Sequence, residues 1–451
     1  MSYHALLKAE QVSFQEDARY LTAGTIKQTC GFVLFISCRA LDTPEMLKQC
    51  LPVTRQTECP FILVKNQNLQ YQLNSGSFGN EIAGKVLSLY PADRSTLSIL
   101  IKELVGLTTQ LKGPQIINAQ RLSQVVYIQK AEKHTDGFRY SMPKPRDIPY
   151  SIPLIYLKKE KPNRLLGNYY LPVQLLGATP KGKIFKAINL RKLKFEWCLI
   201  KQGNAVALDD QFDRDMKDRL KWQKAVLERI KDKVYTPGYL DYFEKAENTY
   251  LVIDYVEGKS LGQEVRNAMK GTTVWKEFPI HKKEQLLNWY QQAVGLVDSI
   301  HQEGFVHRDI TDSNFMIGND GRLCIIDFEL SYSLREQQPD PPYLLGTFGY
   351  ASPEQLHYQY PDIRDDVYSL GALLSFVLTG CQPYEFLNTP LTVVRSKIVR
   401  LTGSDLLATL VCRCIQPTRK ARASLSAIKE AITIYLENLA QRKYETSTMA
   451  V

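Results

Sequence analysis

Three residues in the second half of the chain have the types and the spacing to handle a phosphoryl group. Asp309 follows His307 and Arg308, Asn314 stands five residues after it, and Asp327, followed by Phe328, stands thirteen further on. A carboxylate such as Asp309 can accept the proton of an attacking hydroxyl. The amide oxygen of Asn314 and the carboxylate of Asp327 are hard oxygen ligands of the kind that magnesium takes while it bridges phosphates.

These residues need elements to hold them. The stretch 301–331, HQEGFVHRDITDSNFMIGNDGRLCIIDFELS, reads as a helix end, a tight loop, a strand and another loop. Upstream, strands are expected at 169–177, 183–189, 196–202, 238–246 and 249–256, with one helix at 211–232. Helices with apolar stripes at a 3.6-residue period are expected at 283–304, 365–380 and 424–442. The front of the chain alternates strands (31–38, 60–65, 85–91, 124–130) with helices (43–53, 95–111) and carries a turn signal at 74–80, so a compact α/β or α+β domain is expected there. Residues 139–163 are rich in proline and charge, and read as a linker. Its Tyr150, Ile152, Leu154, Ile155 and Tyr156 suit a segment laid against a surface.

Composition narrows the class. The chain has 451 residues, 44% hydrophobic and 23% charged, with a formal net charge of +10. That describes a globular protein. The longest apolar runs are too short to span a bilayer and the N-terminus lacks a signal pattern, so the expected compartment is the cytoplasm. None of the nine cysteines forms a CxxC pair, and Cys324, Cys412 and Cys414 fall in apolar segments as packing residues. No nucleic-acid-binding motif accompanies the positive charge.

Taken in order, these motifs resemble the protein kinases over residues 164–442. The resemblance implies an α+β, bilobal kinase-like fold preceded by a small α/β domain. The expected division is 1–138 for the front domain, 139–163 for the linker, 164–256 for the small lobe, 257–442 for the large lobe and 443–451 for a tail. It implies ATP or another nucleoside triphosphate, and Mg2+, as cofactors. Gly177 and Gly182 would bracket the glycine-rich loop, with Thr179 where the family has its middle glycine and Pro180 beside it. Lys201 would hold the nucleotide phosphates. Its usual glutamate partner is Gln223 here, with Asp218 or Glu228 as substitutes. Asp254, Tyr255 and Val256 would bond the adenine behind Ile253. Asp309 would be the base, and Asn314 and Asp327 the metal ligands. Thr311 stands where serine/threonine kinases carry a lysine, and Glu329 replaces the glycine after Asp327-Phe328. Glu354 would pair with Arg422, and Asp366 would anchor the catalytic loop.

A narrower resemblance spans the whole chain. In class III and IV lanthipeptide synthetases a phosphoserine/phosphothreonine lyase domain precedes the kinase. The front half is similar in 31-GFVLFIS-37, 84-GKVLSLYP-91 and 112-KGPQIINAQRL-122, and the kinase half in 325-IIDFEL-330. This implies a lyase-like front domain with Lys85 as candidate base, Arg121 as candidate phosphate ligand and Lys65 as a lesser option. Val33, Phe35 and Ile128 stand where that family has cations. The family's cyclase part is not recognised in the sequence, so ring closure would belong to a separate cyclase. The expected partner is a Ser/Thr-containing precursor peptide or protein. Two other readings are a general signalling Ser/Thr kinase with a sensor domain, and a pseudokinase scaffold.

Overall fold

The computed structural model describes residues 3–26, 30–135, 137–144, 147–148, 165–191, 195–270 and 274–448. Most of the proline-rich segment, with the five apolar residues expected to lie on a surface, falls outside them. Backbone packing divides the chain into two compact units: Met1–Lys221 with Asp241–Val252, and Trp222–Leu240 with Ile253–Val451.

The first unit opens with α1 (Tyr3–Ala9), β1 (Phe14–Glu16), β2 (Tyr20–Ala23), β3 (Phe32–Ile36), α2 (Thr43–Gln56), β4 (Phe61–Val64), α3 (Gln67–Ser75), β5 (Leu87–Leu89), α4 (Arg94–Leu107), β6 (Gln120–Arg121), β7 (Val126–His134) and β8 (Gly137–Ser141). All the strands pair antiparallel in one sheet, ordered β1-β2-β4-β5-β3-β7-β6 with β8 added on β7. β3 explains why its sequence is an unbroken apolar run. Phe32, Leu34 and Ile36 enter the main core with Met46 and Leu47 of α2 and Leu97, Leu100 and Leu104 of α4. The alternate residues, Val33 and Phe35, enter a smaller group with Tyr90 and Tyr127 on the opposite face. A strand covered on both faces loses its polar alternation.

Short or polar elements escaped the sequence pattern: α1, β1, β2, α3, β6 and β8. The stretch expected as a turn at 74–80 holds the end of α3 and then a turn. The Asn66 side chain caps the start of α3, accepting from the Leu69 amide at 2.9 Å, and Gly76 closes it with φ 82°.

Next come β9 (Tyr170–Thr179), β10 (Gly182–Asn189), β11 (Glu196–Gly203), α5 (Met216–Ile230), β12 (Tyr239–Lys245) and β13 (Asn248–Asp254). The strands form a second sheet in the order β12-β13-β11-β10-β9. α5 begins at Met216, later than the expected 211. The Asp210 carboxylate accepts from the amides of Phe212 (2.9 Å) and Arg214 (3.1 Å), and Asp213 takes φ 60°. Aspartate there closes a local turn in place of helix, the usual competition from short polar side chains.

The second unit holds β14 (Gly258–Ser260), α6 (Leu261–Ala268), α7 (Ile280–Gln302), β15 (Phe305–Val306), β16 (Phe315–Gly318), β17 (Leu323–Ile325), β18 (Tyr332–Ser333), α8 (Pro353–Leu356), α9 (Ile363–Thr379), α10 (Leu391–Thr402), α11 (Asp405–Cys414) and α12 (Leu425–Thr448). α9 was expected to show one apolar stripe, yet every residue from Asp365 to Thr379 is buried. Its Gly371 admits α11: a Cβ there would lie 2.4 Å from that of Cys414. Cys324, Cys412 and Cys414 are buried free thiols, as their apolar surroundings suggested. Among the described residues no helix is long and apolar enough to cross a membrane.

The expected pair of Glu354 and Arg422 forms at 2.5 Å, with the Arg422 side chain fully buried. Asp365 lies 3.5 Å from the same guanidinium, and Arg419 bonds Asp365 at 2.9 Å. Removing one partner of a buried pair strands the other's charge. Arg422→Met is therefore expected to lower the unfolding free energy by about 3–5 kcal/mol in urea titrations of the full chain. A loss below about 1 kcal/mol, the size of a surface pair, would contradict a structural role.

Candidate active site

The spacing of Asn314 and Asp327 is that of a hairpin. β16 and β17 pair antiparallel with Phe315 opposite Ile325, and the Ile326 amide donates to the Asn314 carbonyl at 2.9 Å. Thirteen residues apart in sequence, the two side chains therefore leave neighbouring points at one end of the ribbon.

The loop before β16 is held from below by α9. Asp366 accepts from the backbone amides of His307 and Arg308, each at 2.8 Å, and faces His301 Nε2 at 2.9 Å. Burial works to raise the Asp366 carboxyl pKa, but the bond to His301 and the amide donated by His307 outweigh it and hold it below its ordinary value. The chain passes through Arg308 at φ 66° and Asp327 at φ 67°, a region costly for residues with a side chain and persisting where surrounding bonds enforce it. Arg308 is enforced twice more: its guanidinium donates to the Leu330 carbonyl at 3.1 Å, and Gln355 Nε2 donates to its carbonyl at 2.9 Å.

His307 is fully enclosed. Its Nδ1 faces the Asp309 amide at 3.3 Å and its Nε2 the Ile326 carbonyl at 3.2 Å. An acceptor at Nδ1 and a donor at Nε2 together specify the neutral ring. Burial lowers its pKa in agreement.

Asp309 has both carboxylate oxygens engaged. Asn314 Nδ2 donates to Oδ2 at 2.8 Å, and the Thr347 hydroxyl to Oδ1 at 2.8 Å. Burial, followed by the nearby Asp327 carboxylate, raises its pKa. Because the Asn314 amide nitrogen is turned to Asp309, its oxygen is the end left for other work. An amide oxygen beside two mutually repelling, half-buried carboxylates is a donor set that suits a hard divalent cation.

Thr347 lies in the segment 346–355, and its bond to Asp309 was not foreseen. Asp312 was also missed: it accepts from Tyr350 at 2.8 Å and Arg266 at 3.0 Å, joining the loop to that segment and to α6. Neither has a local signal, because their partners are distant in sequence. Thr311 is buried and shares a hydrogen bond with Ser313 at 3.0 Å, so no cation replaces the absent lysine at that position. Ser331, Tyr332 and Ser333 are buried.

The other expected nucleotide residues divide between the units. In the first, Ile184 of β10 pairs with Gly177 on one side and Lys201 on the other, so the three lie in one row across β9, β10 and β11. Gly182 opens β10 with φ 154°, where a Cβ would lie 1.7 Å from the Gln202 carbonyl oxygen; glycine is obligatory there. In the second unit Gln223 is buried on α5. Of its proposed substitutes, Glu228 sits 3.9 Å from Lys224, and Asp218 accepts from the Asp215 amide at 3.0 Å. Asp254 ends β13, exchanging bonds with Gly238 through its amide (2.9 Å) and carboxylate (3.0 Å), and Tyr255 and Val256 follow it.

In the front domain, Lys85 proves to be buried. Its Nζ lies 4.4 Å from the Phe35 ring centroid and 4.7 Å from that of Tyr140, and donates to Gln129 Oε1 at 2.7 Å. Burial lowers its pKa to about 8. Arg121 is engaged elsewhere, with Glu247 at 3.1 Å and the carbonyls of Ser123 and Gln124, each at 3.0 Å. Lys65 makes a surface pair with Glu16 at 3.3 Å. Ile128 faces the main core, and Val33 and Phe35 the smaller one.

Set beside known proteins, residues 173–433 match the family profile described as the protein kinase domain, which is more than half the chain. The chain belongs to the protein kinase family. Residues 13–129 match a second profile, described as RamC, N-terminal domain. Among curated relatives, Serine/threonine-protein kinase B of Synechocystis sp. is 30% identical over 230 residues, 49% of this chain and 38% of that protein. Serine/threonine-protein kinase Nek10 of Homo sapiens is 26% identical over 303 residues, 62% of this chain and 24% of that protein. Serine/threonine-protein kinase PknA of Nostoc sp. is 27% identical over 235 residues, 50% and 40% of the two chains. The chain thus spans well under half the length of these relatives.

The Lys85 environment makes a measurable statement. Acylation of Lys85 by an amine-reactive reagent, followed by peptide mass spectrometry, should rise with a midpoint near pH 8, against about 10.4 for an exposed lysine. The unfolded chain keeps that proton to the higher pH and so binds more protons across the window. Folding stability should therefore rise with pH between the two values, and Lys85→Met should remove the rise. A midpoint at the exposed-lysine value would refute the buried amine.

Proposed function

We propose that this protein is an ATP- and magnesium-dependent serine/threonine kinase acting on a peptide or protein. The observation that carries the reading is Asp309, half-buried and oriented through both oxygens by Asn314 and Thr347, beside Asp327. In the reaction, the substrate hydroxyl loses its proton to Asp309 as its oxygen bonds the γ-phosphorus; the bond to the bridging oxygen breaks and ADP leaves. Asn314 and Asp327 would hold magnesium, which supplies charge neutralisation at the phosphates. Gly177, Gly182 and Lys201 would hold the phosphates, and the backbone at Asp254, Tyr255 and Val256 the adenine. Names among the relatives support serine and threonine as acceptors.

The finer reading is a lanthipeptide-type precursor as substrate, with phospho-Ser/Thr then eliminated to a dehydro amino acid. The match of residues 13–129 to the RamC N-terminal profile supports it. So does Lys85: an amine with pKa near 8 has a neutral fraction able to take an α-proton while the Cβ–O bond breaks and phosphate departs. Arg121, tied to Glu247, does not join Lys85 as phosphate ligand in this arrangement, so a phosphopeptide would have to bring in that cation by rearrangement. Ring closure would then fall to a separate cyclase. A signalling kinase shares the phosphorylation step and lacks the elimination; a pseudokinase scaffold lacks both, and the substitutions at Gln223 and Thr311 favour it.

Mass spectrometry of Ser/Thr-containing precursor peptides incubated with ATP and magnesium separates these readings. Asp309→Asn is expected to slow phosphate addition by roughly 10²–10⁴-fold. Unchanged phosphorylation would refute the site. Loss of the added phosphate as net dehydration, abolished by Lys85→Met, supports the lyase reading, whereas stable phosphopeptide favours the signalling kinase. No phosphorylation by the wild-type chain favours the scaffold.

A further inference from the structure

We infer that the front domain is a positioning element for the phosphate-covering turn of the kinase, acting directly through Gly76 and, by way of Asp209, through the segment that begins at Asn204. The inference rests on the kinase reading above. The turn in question is Pro180–Lys181, which joins β9 to β10 with Thr179 opposite Gly182. A turn that closes over nucleotide phosphates ordinarily has glycine freedom at its tip; here Thr179 and Pro180 remove it. Something else must set its position.

Both carbonyls of the turn are held from within the same unit. Asn204 is buried; its amide donates to the Lys181 carbonyl at 2.8 Å and its Nδ2 to the Pro180 carbonyl at 3.1 Å. Gln202 Nε2 donates to the remaining end of that side chain, Oδ1, at 2.9 Å, which fixes the orientation of its amide. The Pro180 ring rests against the front domain. A Cβ on Gly76, the left-handed residue closing α3, would lie 3.1 Å from Pro180 Cγ, so the ring sits against glycine backbone and leaves little room for a side chain.

The same helix reaches the segment that carries Asn204. Asn74 Nδ2 donates to Asp209 Oδ1 at 3.1 Å and to the Cys38 carbonyl at 3.1 Å, and the Ala40 amide donates to Asp209 Oδ2 at 3.0 Å. Arg39 adds an ion pair to Asp213. Asp209 is buried, so these front-domain donors satisfy a carboxylate withdrawn from water. The end of α3 therefore touches the turn directly through Gly76 and supports, through Asp209, the segment that begins at Asn204. Neither Gly76 nor Asn204 has a place in phosphoryl transfer itself; they act through the turn.

The test is nucleotide affinity in the full-length protein, measured by titrating a fluorescent ATP analogue, together with the KM for ATP and the KM for peptide. Asn204→Ala removes one donor from the turn, and Gly76→Asn keeps a residue tolerant of the left-handed backbone while pushing on Pro180. Each is expected to weaken nucleotide binding by ~fivefold or more, the scale of one lost hydrogen bond, with peptide KM and thermal midpoint little changed. Adding Pro180→Ala to Gly76→Asn should restore affinity, because it clears the ring that the new side chain strikes; a mere defect in the α3 cap would not be relieved. Wild-type affinity in both single variants, or a loss that Pro180→Ala leaves untouched, overturns the positioning role alone. A wild-type chain that binds no nucleotide overturns the kinase reading on which the inference rests.

Discussion

The Asp366 carboxylate, sealed inside the second unit, accepts two backbone amides from the loop above it and faces a histidine from α7. A buried charge of this kind is tolerable only when its lone pairs are filled by well-placed donors. Here the donors are the amides of the residues just before Asp309. Their demand for the carboxylate forces Arg308 into the left-handed region, and that conformation determines where Asp309 leaves the chain. The orientation of Asp309 by Asn314 and Thr347, and its nearness to Asp327, result from this.

Around that anchor the polar contacts run outward in a connected set. Gln355 bridges the carbonyls of Arg308 and Leu345, Tyr350 reaches Asp312, and Glu354 meets Arg422 beside Asp365. Each bond joins the catalytic loop or α9 to the segment 345–355, or braces that segment from behind. The segment is thus held in the one arrangement that brings Thr347 to Asp309. The departures from the common kinase pattern leave this framework whole. Thr311 fills its position as a buried hydroxyl, and Gln223 is a buried amide where charge is usual. They leave the contacts that orient Asp309 intact.

In the first unit, the front domain and the strands carrying Gly177 and Lys201 share one packed body. Lys85 and Arg121, candidates for a single chemical step, are separated by what each one touches. Lys85 is enclosed by Phe35, Tyr140 and Gln129, and Arg121 is committed to Glu247 and nearby carbonyls. An enclosed amine with a lowered pKa is an asset for taking a proton, and a poor one for holding phosphate.

Much of this was legible in the sequence. The interval between Asn314 and Asp327 is a hairpin length, and their order after Asp309 already pointed to the kinase family. The apolar run at 31–38 announced a buried strand, and Glu354, Arg422 and Asp366 were recognisable by pattern. Burial of Lys85 was not legible, because a lysine after glycine reads as surface until Phe35 and Tyr140 are brought over it by strand pairing. The late start of α5 was hidden by Asp210, whose local bonds compete with helix. Thr347, Asp312, Gln355 and Asn204 were invisible as bonding partners. Residue type and spacing determine what a side chain can do and which local ribbon or helix bears it, since those depend on neighbours a few positions away. Which donor meets which acceptor, and how far water is excluded, depends on contacts between residues far apart in the chain, and only the folded chain decides those.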